Sequence, residues 1–350
     1  MTDAPSPTAD AAVRGPFAAA TEQPLEDLVA ALESYRPELN GYCYRLLGSV
    51  FEAQDAVQET MVRAWRSLGN LERRSSLRVW LYRIATNVCF NLITTGRKRA
   101  LPMDLTGSWT ETAVVGPALP EHTWIEPIPD ALLPPSSQSD PADQAVQRDT
   151  VRVAFVAALQ HLPPRQRAIL ILRDVLRWTA REVADLIDTT VISVNSALQR
   201  ARTTLATRRP ELGDVPTVLT GEQEALLGRY LRAFESHDVG ALVTLLHHEA
   251  TSSMPPLPLW LRGRAATRSW WDFGRDCRGS RLVTVHAHRS PAFAVYQPAP
   301  SRDGHELFAI HVLELSRSHI DSIHMFLDPR LAGPFDLPTR RHFADTGSPA

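Results

Sequence analysis

Residues 162–202, LPPRQRAILILRDVLRWTAREVADLIDTTVISVNSALQRAR, constrain the fold of this chain more than any other stretch. Thr179-Ala-Arg-Glu182 has the S/T-x-x-E form of a capping box, in which the hydroxyl caps the helix and the carboxylate reaches back. Val183, Ala184, Leu186 and Ile187 then supply one apolar face, and Asp188-Thr189-Thr190 makes a short turn. Val194, Leu198, Ala201 and Leu205 recur at helical spacing and give the next helix a buried stripe. The pattern predicts a helix–turn–helix preceded by two packed helices. Its outward face carries Asn195, Ser196, Gln199, Arg200 and Arg202, whose amides and guanidinium groups suit base edges and phosphates in a major groove. The same residues also suit an ordinary helical packing unit with a polar outer face.

Charge along the chain favours the nucleic-acid reading. The formal net charge is only −2 over 350 residues. Residues 35–100 and 148–210 nevertheless each carry 11 basic and 5 acidic side chains, while residues 101–147 hold 7 acids and no Lys or Arg. Two basic modules joined by an acidic connector suggest a polyanion touched twice. Lys98 is the single lysine, a bias of GC-rich coding rather than of chemistry. Cys43, Cys89 and Cys277 show no metal-ligand or redox spacing and are expected to be small buried groups in a reduced cytoplasm. No stretch is apolar enough to span a membrane, so a cytoplasmic location is expected.

Residues 1–24, rich in Ala, Pro, Thr and Asp, are expected to be disordered. A helical module follows over 25–100, then an acidic, proline-rich linker over 101–142 and the helix–turn–helix module over 143–210. In the first module Ala53, Val57, Met61, Ala64 and Leu68 form one helix face, with Trp65 beside them. Asp55, Gln58, Glu59 and Arg63 lie opposite, either as a solvated surface or as a docking face. Leu77, Leu81, Ile84 and Val88 predict a second helix. On it Arg83, Asn87, Asn91 and Thr95 recur every fourth residue and run into Arg97-Lys98-Arg99, a stripe able to track a phosphate backbone. Trp80 either stacks on an unpaired base or belongs to the core.

Three motifs in order, DAVQETMVRAWRSL (55–68), SSLRVWLYRIATNVCFNL (75–92) and the 162–202 segment, together resemble the extracytoplasmic-function (ECF) sigma factors of the sigma-70 family. The resemblance covers about residues 25–210 and implies an alternative sigma factor with core RNA polymerase and promoter DNA as partners, and no cofactor. It implies that Asp55, Gln58, Glu59 and Arg63 dock on the clamp of the β′ subunit, with further contact to β. Trp80, Arg83, Asn87, Asn91, Arg97, Lys98 and Arg99 would engage the −10 element, and Asn195, Ser196, Gln199, Arg200 and Arg202 the −35 element. The acidic linker would thread toward the RNA exit path. Where the family turn carries Gly this chain has Asp188, a residue that tolerates the left-handed conformation.

Residues 219–333 lie beyond a minimal sigma factor, and 334–350 form a tail. Amphipathic helices over about 221–247, a helix near 264–275 and strands at about 281–289, 291–297, 306–316 and 319–327 are expected. Helices followed by a meander of strands resemble the SnoaL-like fold, a cone-shaped α+β domain of the nuclear transport factor two superfamily. The expected architecture is therefore multidomain: two all-α modules, the second with a helix–turn–helix, followed by a SnoaL-like domain. Trp260, Trp271, Tyr296, His311 and His324 are candidates to line a pocket for a small-molecule ligand. No spacing among them demands catalysis, and no enzyme is expected. The domain is open to three roles: catalysis, ligand sensing, or control of the sigma modules in cis. A ligand-responsive helix–turn–helix regulator is the competing reading of the whole chain, but it needs neither helix of the first module.

Overall fold

Gly48, at φ +73°, turns the chain between the first two helices, α1 (Arg36–Leu47) and α2 (Val50–Arg66). Ser49 caps α2 by accepting from the Glu52 N–H. The computed structural model describes residues 27, 29–67, 76–95, 99–111, 113–135, 145–146, 148–207, 219–273, 277–300 and 304–343. The chain divides into two compact units, Met1–Arg36 and Pro37–Ala350, and the second carries both helical modules and the sheet. Residues 1–24, Arg97, Lys98 and 344–350 lie outside the described residues.

The apolar face expected of α2 is buried: Ala53, Val57, Met61 and Ala64 pack inward against α3 (Leu77–Thr95). Cys43 and Cys89 are buried free thiols, filling space as small apolar groups, while Cys277 is half-buried. The second module comprises α4 (Val153–Gln160), α5 (Pro164–Leu170), a π-turn at Ile171–Val175, α6 (Ala180–Leu186) and α7 (Val191–Ala206). The Thr179–Glu182 capping box forms in both directions, at 3.2 and 2.7 Å. Asp188 adopts φ +57°, so the turn keeps its left-handed residue. Val194, Leu198, Ala201 and Leu205 are buried.

The C-terminal domain opens with α8 (Gly221–Glu235) and α9 (Val239–Leu245), followed by β1 (Leu246–Ser253), β2 (Trp260–Arg262) and α10 (Gly263–Phe273). Strands β3 (Arg281–Ala287), β4 (Ser290–Pro298), β5 (His305–Leu315) and β6 (Ile320–Phe326) fall close to where alternation placed them, and β7 (Arg340–Arg341) is short. The sheet order is β2-β1-β6-β5-β4-β3, with β7 on β5. Two features differ from the sequence expectation. The chain leaves the helix at Leu246 rather than near 247 and becomes a strand, and β1 joins β6 in parallel, with Leu246 opposite Ile320. His247 to Ser253 is polar and lacks a period, so nothing local announced a strand whose order comes from its partner.

The acidic connector also differs from a free linker. Trp124, Ile125, Ile128 and Leu133 are buried although the stretch has little regular structure. The Ala100 N–H donates to Thr123 O, and Glu126 N–H to Gly48 O. Farther along, Trp109 and Leu119 donate main-chain bonds to Trp260 O and Pro256 O. Isolated apolar residues between prolines anchor an extended strap without any periodicity.

The left-handed Asp188 predicts that Asp188→Val destabilises the helix–turn–helix by about 1–2 kcal/mol, because a β-branched residue is strained at positive φ. Asp188→Gly should stay within about 1 kcal/mol of the parent. Urea unfolding of both variants, followed by circular dichroism, checks the pair.

Candidate functional site

On α2, Asp55, Gln58 and Arg63 are exposed, and Arg63 Nε donates to Glu59 Oε1 at 2.6 Å along the same face. Trp65, 60% exposed, extends it with an apolar ring that no core contact requires. This docking candidate faces solvent.

The next helix is engaged. Arg83 Nη2 donates to the main-chain oxygen of Asp185 on α6, at 2.7 Å. One residue back, the Tyr82 ring packs 5.0 Å from Trp178, and the Arg78 guanidinium lies 5.2 Å over the same indole. Arg78 is also bonded to Glu38. The second module therefore covers part of α3, while Asn87 and Asn91 remain exposed and Trp80 is half-buried. Arg99, expected to hold phosphates, is 5% exposed and bonded in the interior instead. Its guanidinium pairs with Glu52 at 2.7 Å and Glu126 at 3.5 Å and donates to Trp124 O at 2.6 Å. Burial pushes the Glu126 carboxyl up, against the pull of Arg99 and Ser49. A phosphate contact by Arg99 requires these pairs to break.

Asn195, Ser196, Gln199 and Arg200 all point from α7 into solvent. Arg202 is exposed but forked onto Asp174, at 2.9 and 2.7 Å, across the π-turn.

The five pocket candidates divide. Trp260 and His324 line a cleft of about 980 Å³ bounded by α4, the strap near Met103 and the sheet. Trp271, Tyr296 and His311 lie elsewhere. His311 is held by Tyr230 OH at 3.0 Å inside the domain core, where Phe234 and Trp271 also pack. Tyr296 OH donates to Pro338 O. Burial pushes His311 down to about 3, so it stays neutral. His on an alternating strand pointed to a pocket, but β5 turns His311 toward the helices and fills that space with aromatic rings. At the cleft floor, Ser322 donates to Glu314, His324 Nδ1 meets Ser253 Oγ at 2.9 Å, and Arg152 lies 3.6 Å from Glu314.

The residue that sequence reasoning missed is His288, at the β3–β4 turn. Its N–H donates to Ile128 O in the strap, and its Nδ1 donates to Val151 O of the second module at 2.6 Å. Tyr44 of α1 stands at its other nitrogen, 3.4 Å away, and donates to Glu126 O at 2.6 Å. Four parts of the chain thus meet at one buried histidine, whose ring has partners 137 and 244 residues away in sequence and whose main-chain N–H is held by the strap. No local pattern could mark it.

Comparison with known proteins fits this arrangement. Residues 31–99 match the Sigma-70 region 2 family and residues 152–205 the Sigma-70, region 4 family. The chain is 42% identical over 318 residues to the ECF RNA polymerase sigma factor SigG of Mycobacterium tuberculosis, covering 89% of this chain and 84% of that protein. The chain belongs to the ECF sigma factors. It is an alternative sigma factor of the sigma-70 family, with core RNA polymerase and promoter DNA as its partners. The ECF sigma factor SigW of Bacillus subtilis is 24% identical over 184 residues, 53% of this chain and 88% of SigW. The crystal structure of the M. tuberculosis ECF sigma factor SigJ superposes with a TM-score of 0.58 at 19% identity, over 89% of this chain and all of that one, a likeness of fold. After the sigma modules the chain continues as helices followed by a sheet, an α+β arrangement. Among the described residues no helix of this sigma factor is long and apolar enough to cross a membrane.

Burial pushes His288 down from 6.5 to about 4. Its contribution to the folded body is therefore complete above pH 6.5 and is lost as pH falls toward 4, on the order of 3 kcal/mol in all. Small-angle scattering should show the protein expanding over that range. His288→Asn, which tolerates the residue's φ of +56°, should expand less steeply with acid. Identical pH profiles would remove His288 from the junction's energetics.

Proposed function

We propose that the protein is held in a closed form in which the C-terminal domain and strap keep the two promoter-reading modules together, and that transcription requires this form to open. The observation that carries the reading is the 2.7 Å bond from Arg83 to Asp185. It ties the candidate −10 helix to the first helix of the helix–turn–helix. The two promoter elements are about 25 base pairs apart, on the order of 85 Å at 3.4 Å per step. A 16-residue helix such as α7 spans only about 24 Å. The closed chain thus cannot place α3 and α7 on both elements of one promoter at once.

In this reading Asp55, Gln58, Glu59 and Arg63 dock on the β′ clamp, with further contact to β. Arg83, Asn87, Asn91, Arg97, Lys98 and Arg99 serve the −10 element, and Trp80 stacks on an opened base. Asn195, Ser196, Gln199, Arg200 and Arg202 serve the −35 element. The strap is the means of cis control, since its Glu126 pairs with Arg99 and its main chain bonds to the C-terminal domain at Trp260 and Pro256. The cleft beside His324 is the place for a small-molecule effector. Arg152 Nη1 and Glu314 Oε1 line it buried and without hydrogen-bond partners, a donor and an acceptor side by side. The domain then regulates and performs no chemistry.

In vitro transcription with purified core polymerase tests the reading. A chain ending after Thr207, or a full chain carrying Trp178→Ala, which removes the ring that Tyr82 and Arg78 pack on, should give several-fold more specific transcript than the parent at equal concentration. Unchanged output from both would end the cis-control reading. Asn195→Ala and Arg200→Ala in the full chain should each weaken −35 recognition by about 1–3 kcal/mol. Equal loss on a scrambled −35 element would remove the base contact.

A further inference from the structure

Ile192 is the most exposed large apolar side chain on the second module, at 79%, with Val191 beside it at 41%. Both stand in the first turn of α7, behind the Thr190 cap. At about 100° per residue, Ile192 lies about 160° around the helix from Val194, the first residue of the buried stripe. Its side chain therefore points directly away from the module's core, and core packing does not explain it. Ile192, Asn195, Ser196 and Gln199 stand at i, i+3, i+4 and i+7, so the isoleucine shares a face with the polar reading residues and is its N-terminal member.

We propose that Ile192 is a specificity-determining residue that packs on the 5-methyl group of a thymine in the −35 element. This rests on the assignment of α7 to that element. In a major groove the C5 methyl of thymine is the one apolar feature on a base edge, and aliphatic side chains contact it. The N-terminal residues of a recognition helix are those that reach base edges. A polar first turn could read only donors and acceptors. An exposed isoleucine in that turn adds selection for a methyl group, and its branched side chain has little rotamer freedom to lose on docking.

The test is in vitro transcription by the full chain with core polymerase, on a promoter the protein selects from a genomic library. Each thymine of the −35 element is replaced in turn by deoxyuridine, which lacks only the methyl. For the parent, one such replacement should lower specific transcription about four-fold, the worth of one buried methyl-sized group. Ile192→Ala should lower it by a similar factor on the thymine template and be indifferent to deoxyuridine, while Ile192→Val keeps most of the discrimination. Because Ile192 touches no core, these variants should fold, and circular dichroism confirms it. Equal loss with Ile192→Ala on thymine and deoxyuridine templates means a polymerase contact and overturns the proposal. So does a −35 element without thymine, or a parent that ignores every methyl. A parent indifferent to the whole −35 sequence would overturn the α7 assignment itself, and this inference with it.

Discussion

The buried junction around His288 joins the C-terminal domain, the strap and both sigma modules. Each polar group there is satisfied only by another part of the chain: the imidazole by Val151 O, the Tyr44 hydroxyl by Glu126 O, the His288 N–H by Ile128 O. A buried polar group deprived of its partner costs about 1–3 kcal/mol, so removing one part leaves several groups unpaired together. The junction is therefore cooperative. It holds as a whole or opens as a whole, as the proposed closed form requires.

The seam between the two sigma modules follows the same principle. Arg45 donates to Thr150 O at 3.1 Å, and Arg167 donates to Leu46 O, both from buried guanidinium groups. Burial pulls each down to about 10, well short of neutralising it near pH 7. A buried charge gives little net stability, because desolvation offsets most of its attraction. Water can take over the same donors when the modules part. An apolar seam would have left a sticky surface on opening. An apolar cluster runs through the C-terminal domain, from Leu226 and Tyr230 on α8 to Ile323 and Met325 on β6, and Trp109 and Val115 of the strap pack against it.

Local physics made the sigma modules legible. The Thr179–Glu182 box, the stripe on α7 and the left-handed turn at Asp188 are each decided within a few residues, and sequence shows them directly. Strands β3 to β6 were legible for the same reason, through alternation. What escaped was set by distance. β1 takes its conformation from a parallel partner some 70 residues on, and His324 meets Ser253 across the same pair. The pocket candidates divide because alternation says that His311 and His324 face opposite sides of a sheet only once their strands and registers are known. The strap was misread because composition reports the absence of periodicity, and single anchors such as Trp124 need none.

The placement of Arg99 gives the acidity of the strap a physical meaning. In the proposed −10 role Arg99, just beyond α3, holds promoter phosphates, and here the carboxylates of Glu52 and Glu126 occupy it. Glu126 carries the strap's charge to that cation. Under the proposed function DNA and strap compete for one guanidinium, and binding the first requires release of the second. Because Glu126 N–H is also bonded to Gly48 O and Tyr44 OH to Glu126 O, its release cannot stay local. Freeing the carboxylate disturbs Tyr44, then His288, and so the hold of the C-terminal domain. The proposed opening and the proposed promoter contact of Arg99 would then be linked through one residue of the connector, with no dedicated relay between them.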